Sequence, residues 1–339
     1  MGSAGSGKKR GIVRFAGWAV LWLALLLMTA WGVAAIWLAH PAPSYRLITL
    51  LLYVAGTLGP PLLLRPRWAG WSVSGFVIAL GIFWFLSLTP SNTRDWQPDL
   101  AILPWAEISE DTVVMHDIRN CDYRTEKDFV CGYYDKTFNL TDLTTVDLFL
   151  VYWGSPHIAH TMLSFGFANG GNVCFSIETR KEKGEDYSAV KGFFRQYEKI
   201  YVVADERDVV RLRTNFRQED VYLYRLRVAP DMARKVFLDY LREVNRLKER
   251  PQWYNALIGN CTTSIRRHTL PYNPGARLDW RLIVNGYIDE MIYERGILSQ
   301  DLSFAELKKK SYINSRARAA DQSPDFSRRI REGVPEISM

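Results

Sequence analysis

Apolar residues fall into two regimes along this chain. From about residue 11 to residue 89 they run almost unbroken, and beyond that they recur in short periodic groups among charges. The first regime divides into three runs, 14–39, 46–64 and 69–89, separated by Pro- and Arg-bearing turns. Each run is close to the ~20 residues a helix needs to cross hydrocarbon. Run one carries Trp18, Trp22, Trp31 and Trp37, some at depths suited to an interfacial belt. Its length, its tryptophans and the lack of a small-residue cleavage site mark it as a span rather than a signal peptide. Residues 1–13 read as a flexible cytoplasmic leader. Gly2 to Lys8 fits a phosphate-loop pattern, but Lys9 stands where Ser or Thr is required and no strand precedes it. The opening residues also fit a myristoylation pattern. A flexible Gly/Ser leader accounts for both matches.

In the second regime the period changes. Residues 90–111 read as a linker, broken by Pro90, Pro98 and Pro104. Weak alternation over 112–118 predicts a strand, and 120–136 reads as polar and turn-like. Residues 146–152 and 159–167 are β-rich apolar runs. Asn169-Gly170-Gly171-Asn172 is a hairpin signal joining the second of these to a strand over 173–179. Residues 201–203 and 221–226 complete the strands. Over 231–248, Val236, Phe237, Tyr240, Leu241, Val244 and Leu247 share one helical face, with Asp231 as cap and Pro251 as stop. A helix is expected from Cys261 to about His268 and another over 282–295. The tail, 312–339, is polar and basic, and is expected to be mobile or to lie along the domain. The pattern therefore predicts an α+β domain over 112–311 with a small antiparallel sheet, preceded by a three-helix transmembrane domain over 14–89.

The formal net charge of +7 raises the question of nucleic acid. The basic residues cluster at membrane flanks and in the tail, so no nucleic-acid partner is expected. Lys8, Lys9, Arg10 and Arg14 precede run one, and Arg65 and Arg67 lie between runs two and three, whereas the first turn has only Arg46. The positive-inside rule then sets the N-terminus in the cytoplasm and residues 90–339 on the outer side. The four cysteines, Cys121, Cys131, Cys174 and Cys261, form no zinc pattern, and no metal or cofactor is expected. Cys121 and Cys131 flank a short charged loop and could pair in an oxidising compartment, with two unlinked thiols as the alternative.

Candidate chemistry centres on Cys261 and His160. Cys261 follows Gly259-Asn260 and leads into Thr262-Thr263, at an expected helix start. Helix N-terminal N–H groups favour a thiolate and can hold an oxyanion. His160 lies on the 159–167 strand and would act as base. Hairpin register puts the residue facing His160 near Glu178 or Thr179, which makes Glu178 the expected orienting group and leaves Ser176 as the alternative. Asn260, Thr262, Ser176 and Tyr254 are candidate substrate or oxyanion contacts. His157 reads as a surface loop residue, His116 and His268 have no partner visible in sequence, and Cys174 reads as a small strand hydrophobe.

Residues 119–124, 158–165, 175–180, 201–208 and the stretch from Tyr254-Asn255 to Asn260-Cys261-Thr262-Thr263 resemble the Lnb N-terminal periplasmic domain family over about 110–300. The resemblance implies a circularly permuted papain-like fold of the NlpC and lecithin:retinol acyltransferase type, with Cys261 as nucleophile and His160 as base. It also implies acyl transfer through a thioester, from phospholipid or lipoprotein to an amine, at a bacterial inner membrane with the catalytic domain in the periplasm. The expected partners are membrane lipid or lipoprotein. Two alternatives use the same residues: a periplasmic cysteine peptidase or amidase, and a non-catalytic membrane scaffold. Acyl transfer and amide cleavage share the acyl-enzyme step and differ in what attacks it.

Overall fold

A computed structural model describes residues 4–39, 43–256, 259–273 and 275–337. The chain forms two compact units, one of residues up to Pro90 together with Phe194–Gln196 and one of the remainder.

The first unit is built from α1 (Ala4–Ala39), α2 (Pro43–Leu63) and α3 (Arg67–Ser87). Each contains a stretch long and apolar enough to cross a membrane: Ile12–Ala39, Ser44–Leu63 and Arg67–Ser87. Helix already begins at Ala4, inside the stretch read as a flexible leader. Trp71 on α3 packs against Trp18 and Trp22 of α1, at centroid distances of 5.9 and 5.3 Å. Hydroxyls within and between these helices bond backbone carbonyls, as an apolar surrounding favours. Ser74 donates to the Thr57 carbonyl (2.6 Å), and Thr57 to that of Tyr53 (3.0 Å). At the end of α3, Arg195 donates to the carbonyls of Phe85 and Leu86, which have no intrahelical partner.

The second unit is a mixed eight-stranded sheet with helices on both faces. Its strands are β1 (Trp105–Ile108), β2 (Thr112–Tyr123), β3 (Phe129–Asn139), β4 (Leu143–Tyr152), β5 (Ala159–Phe167), β6 (Gly171–Arg180), β7 (Glu198–Ala204) and β8 (Asp220–Arg225). The order is β1-β2-β7-β6-β5-β4-β8, with β3 paired to β2. Only β2 and β7 run parallel; the other pairs are antiparallel. One face carries α5 (Pro230–Glu249), whose Phe237 and Tyr240 pack on Phe165 and Phe175. The other face carries α4 (Glu206–Arg211) and the C-terminal helices. Between them, α6 (Cys261–Thr269), α7 (Ile288–Glu294) and α8 (Phe304–Ser311) follow α5 in chain order, with α9 (Asn314–Ala319) and α10 (Phe326–Arg329) at the end.

The expected sheet was too small and too simple. Residues 120–136 are not turn-like: they lie mostly in a long β2–β3 hairpin with Cys121 bonded to Cys131 directly across it. The sequence hides it because β3 has an exposed face and reads as polar. The linker is also part of the domain, with β1 inside it and Trp96 and Leu100 buried, Trp96 beneath the Arg180 guanidinium (4.3 Å). The tail is folded. Ile313, Ala317, Phe326 and Ile330 are buried, and Arg331 bridges the buried Asp147 and Glu206 at 2.8 and 2.6 Å. Those few apolar positions are diluted by Arg and Ser, so the tail's average polarity conceals its anchoring face. Helix α5 starts at Pro230 with Asp231 in its first turn rather than at the cap. The helix expected over 282–295 is regular only over Ile288–Glu294. It is interrupted at Gly286, where any side chain would collide with the backbone of Pro156 and His157.

Candidate active site

Every residue of β5 is buried, and its first hydrogen-bonding edge is fixed by β6. The paired register ends at Met162 and Ser176, and His160 on β5 and Glu178 on β6 lie two residues beyond that pair. Residues two apart on β6 share a face. Ser176 and Glu178 therefore both meet the imidazole. Ser176 Oγ lies 2.7 Å from His160 Nε2 and donates to Glu178 Oε1 at 2.6 Å. Glu178 itself is 3.8 Å from Nε2.

This pair of bonds sets the tautomer. A serine hydroxyl has one hydrogen. Since that hydrogen goes to the carboxylate, the Ser176 oxygen must accept from Nε2–H. Nδ1 is then the ring's free acceptor. The expected orienting group, Glu178, lies behind, and the alternative, Ser176, is the residue that touches the ring.

Cys261 is the first residue of α6, and Asn260 is its cap, accepting the Thr263 N–H at 2.9 Å. The leading N–H groups of Cys261 and Thr262 have no carbonyl partner within the helix. The helix is fastened to β5 through Asn285. That amide donates to the Ala159 carbonyl (2.6 Å) and to Thr262 Oγ1 (2.7 Å), and accepts from the Ala159 N–H (2.9 Å). Thr262 also meets Thr161 at 3.3 Å. The side chains of Asn260 and Thr262, both considered as substrate contacts, are thus committed to holding the helix. What they offer an oxyanion is backbone. Asn285 carried no signal in the sequence beyond its place before a glycine.

His160 and Cys261 are each buried to all but 8% and 7%. Burial pushes the Cys261 thiol up. The charge and hydrogen bond of His160, with donors from Thr161, outweigh it and bring the thiol from 9.0 to about 6. Glu178 shows the same contest: burial raises its carboxyl, but Arg213, His160 and the Ser176 hydroxyl hold it well below the usual carboxylate range. Tyr254 lines the cavity, and burial followed by the charge of Cys261 keeps its phenol protonated. By contrast, burial raises the Cys174 thiol, on a sheet position packed in the second core. Among the described residues, the other histidines are engaged elsewhere. His116 bonds Asp135 (2.8 Å), His157 bonds Tyr287 (2.7 Å) and His268 bonds Tyr201 (2.8 Å).

A cavity of about 590 Å³ opens over this group. Its wall has an apolar part, Trp153, Ile158, Tyr187, Phe193 and Ile283, and a charged part that includes Glu126, Lys181, Asp186 and Arg217. Trp153, Ile158, Tyr187, Phe193 and Ile283 are all substantially exposed, the last at 73%. Arg213, which the sequence did not single out, bonds Glu178 at 3.1 Å and Glu219 at 3.0 Å.

Residues 131–286 match the family model of the Lnb N-terminal periplasmic domain. The matched stretch contains His160, Ser176, Glu178, Cys261 and Asn285. No curated protein and no solved structure matches the chain. A periplasmic domain together with three membrane-length apolar helices describes a membrane-anchored protein with an extracytoplasmic domain.

Proposed function

We propose, from a chain that carries the Lnb N-terminal periplasmic domain behind three apolar helices, that this protein is a thiol acyltransferase acting on membrane lipid or lipoprotein. The observation that carries the reading is geometric: Cys261 opens α6 and shares a cavity with His160, whose charge and hydrogen bond lower the thiol. A buried structural cysteine goes the other way, as Cys174 does. The fold assignment that accompanies it is a permuted papain-like one, supported by a histidine strand that precedes the nucleophile helix.

The steps use only residues of this chain. Nδ1 of His160 takes the thiol proton, and the Cys261 sulfur attacks the carbonyl carbon of an acyl ester. The leading N–H groups of α6, with the Tyr254 hydroxyl at the cavity wall, receive the oxyanion. Collapse releases the alcohol, protonated by His160, and leaves a thioester on Cys261. An amine then attacks, gives up its proton through His160, and departs as the amide, restoring the thiol. The exposed apolar part of the cavity wall supports an acyl chain as the group transferred.

The charged part of the same wall favours the second reading, a periplasmic peptidase or amidase. The two differ in donor and acceptor. Full-length protein incubated with a phospholipid bearing a labelled acyl chain and an amine-terminated lipopeptide should yield labelled amide. Cleavage of peptide with no acylated product would decide for the peptidase. A protein whose Cys261→Ala form supports the same cellular phenotype would be the scaffold. The Lys and Arg distribution supports a cytoplasmic N-terminus, and the periplasmic-domain family match supports a bacterial inner membrane. Alkaline phosphatase fused after the domain tests it, and an inactive fusion would reverse the orientation.

A further inference from the structure

Helix α4 does not end cleanly. It runs into a π-turn, Leu212–Phe216, and Arg213 sits in it. Such inserted turns re-aim a side chain and are frequent at functional sites. Here the turn points a guanidinium that is 7% exposed at two carboxylates from different elements, Glu178 on β6 and Glu219 just before β8. The loop that follows closes back on the turn, with the Glu219 N–H donating to the Arg213 carbonyl at 2.9 Å.

We propose that Arg213 is the positioning residue of this site: it keeps Glu178 ionised and in place, so that Ser176 accepts from Nε2 of His160 and Nδ1 stays free to take the thiol proton. The inference rests on the thiol reading above. A carboxyl held mostly away from water is biased toward taking up a proton once its cation is lost, and the Glu178 side chain is only 23% exposed. Charged groups acting on Glu178 are Arg213, His160 and Arg119, and its own charge is felt by Asp99 and Tyr254. The Arg119 guanidinium is already committed to Asp208 through two bonds of 2.8 Å. His160 is the group being positioned. Arg213 therefore supplies the directly bonded cation. Its planar fork spans two carboxylates at once, which an ammonium does less well. If Glu178 becomes a neutral acid, it donates to Ser176, Ser176 donates to Nε2, and the ring proton moves to Nδ1. With Nε2 held as an acceptor from Ser176, the ring cannot take the second proton that makes it the imidazolium, and the thiol loses the charge that lowers it.

The test is the pH dependence of Cys261 alkylation by iodoacetamide, read by mass spectrometry on the full chain in lipid nanodiscs. The midpoint should lie near pH 6 in the wild type. In Arg213→Met it should rise by about one unit or more, roughly a fivefold or greater loss of rate at pH 6, with Arg213→Lys in between. Glu178→Gln should shift the midpoint alike, and adding Arg213→Met to it should shift it no further. An unchanged midpoint in Arg213→Met overturns the proposal, as does a shift that persists undiminished in the Glu178→Gln background. Should Arg213→Met fail to fold, Arg213→Lys and Glu178→Gln decide it: no shift in either removes the role. Alkylation reads the thiol whatever the substrate, so loss of the acyltransferase reading through an absent acyl adduct would be seen separately.

Discussion

The Ser176 hydroxyl stands 2.7 Å from Nε2 of His160, so the imidazole is oriented by a serine rather than directly by an acid. Glu178 acts at one remove, 3.8 Å from the ring. Ser176→Ala removes the bridge and leaves a buried N–H without an acceptor. The expected result is a folded protein with kcat down about 10²-fold, the scale set by misplacing a reacting group. Steady-state kinetics check this, and a rate within twofold of wild type would take Ser176 out of the account.

His160→Ala removes the proton acceptor. Base catalysis supplies about 10²–10⁴ in rate, and the thiol also loses the charge that lowers it. Turnover should fall by at least that factor at pH 7, with part of the loss recovered at pH 9, where the thiol ionises without help. A pH–rate profile of the variant measures both.

Alkylation separates the two free cysteines. A thiol lowered to about 6 is mostly thiolate at pH 7, and its reactivity falls as pH drops through that value. Cys174 is fully buried and its thiol is raised, so it should stay unmodified in the native protein at neutral pH. Peptide mapping after brief iodoacetamide treatment at pH 7 should find label on Cys261 alone.

Arg331 lies far from the site in sequence but holds the sheet's other face. It joins Asp147 and Glu206, both with no solvent exposure. Arg331→Ala leaves a buried carboxylate short of its cation, and breaking such pairs costs about 3–5 kcal/mol. Thermal unfolding should show a clear loss of stability in the extracytoplasmic domain. Little change would mean that Arg225, which also bonds Asp147, suffices for that carboxylate and that Glu206 needs no cation.

The sequence made legible what depends on short period and local chemistry. The strands around 146–152 and 159–167, the Asn-Gly hairpin and the helix starting at Cys261 all carry dense, regular apolar patterns or a clear cap. That hairpin brought Ser176 and Glu178 to the neighbourhood of His160, but it did not tell which of them touches the ring. Long-range partners were not legible. Arg213 reaches the site through an inserted turn, which has no sequence period. Asn285 reaches it from the first position of a short 3-10 turn, Asn285–Tyr287. The β2–β3 hairpin and the C-terminal helices were missed because each buries only part of a largely polar stretch. Local averages describe solvent-facing residues there, and the few buried ones decide the structure.

The central claim is that Cys261 carries an acyl group during turnover. Intact-mass and peptide analysis of full-length protein, purified from its membrane and incubated with phospholipid, tests it directly. The account predicts a fatty-acyl mass on Cys261 that hydroxylamine removes and that the Cys261→Ala form lacks, together with lost transfer in that variant. Wild-type transfer by Cys261→Ala, or turnover with no adduct on Cys261, would contradict it.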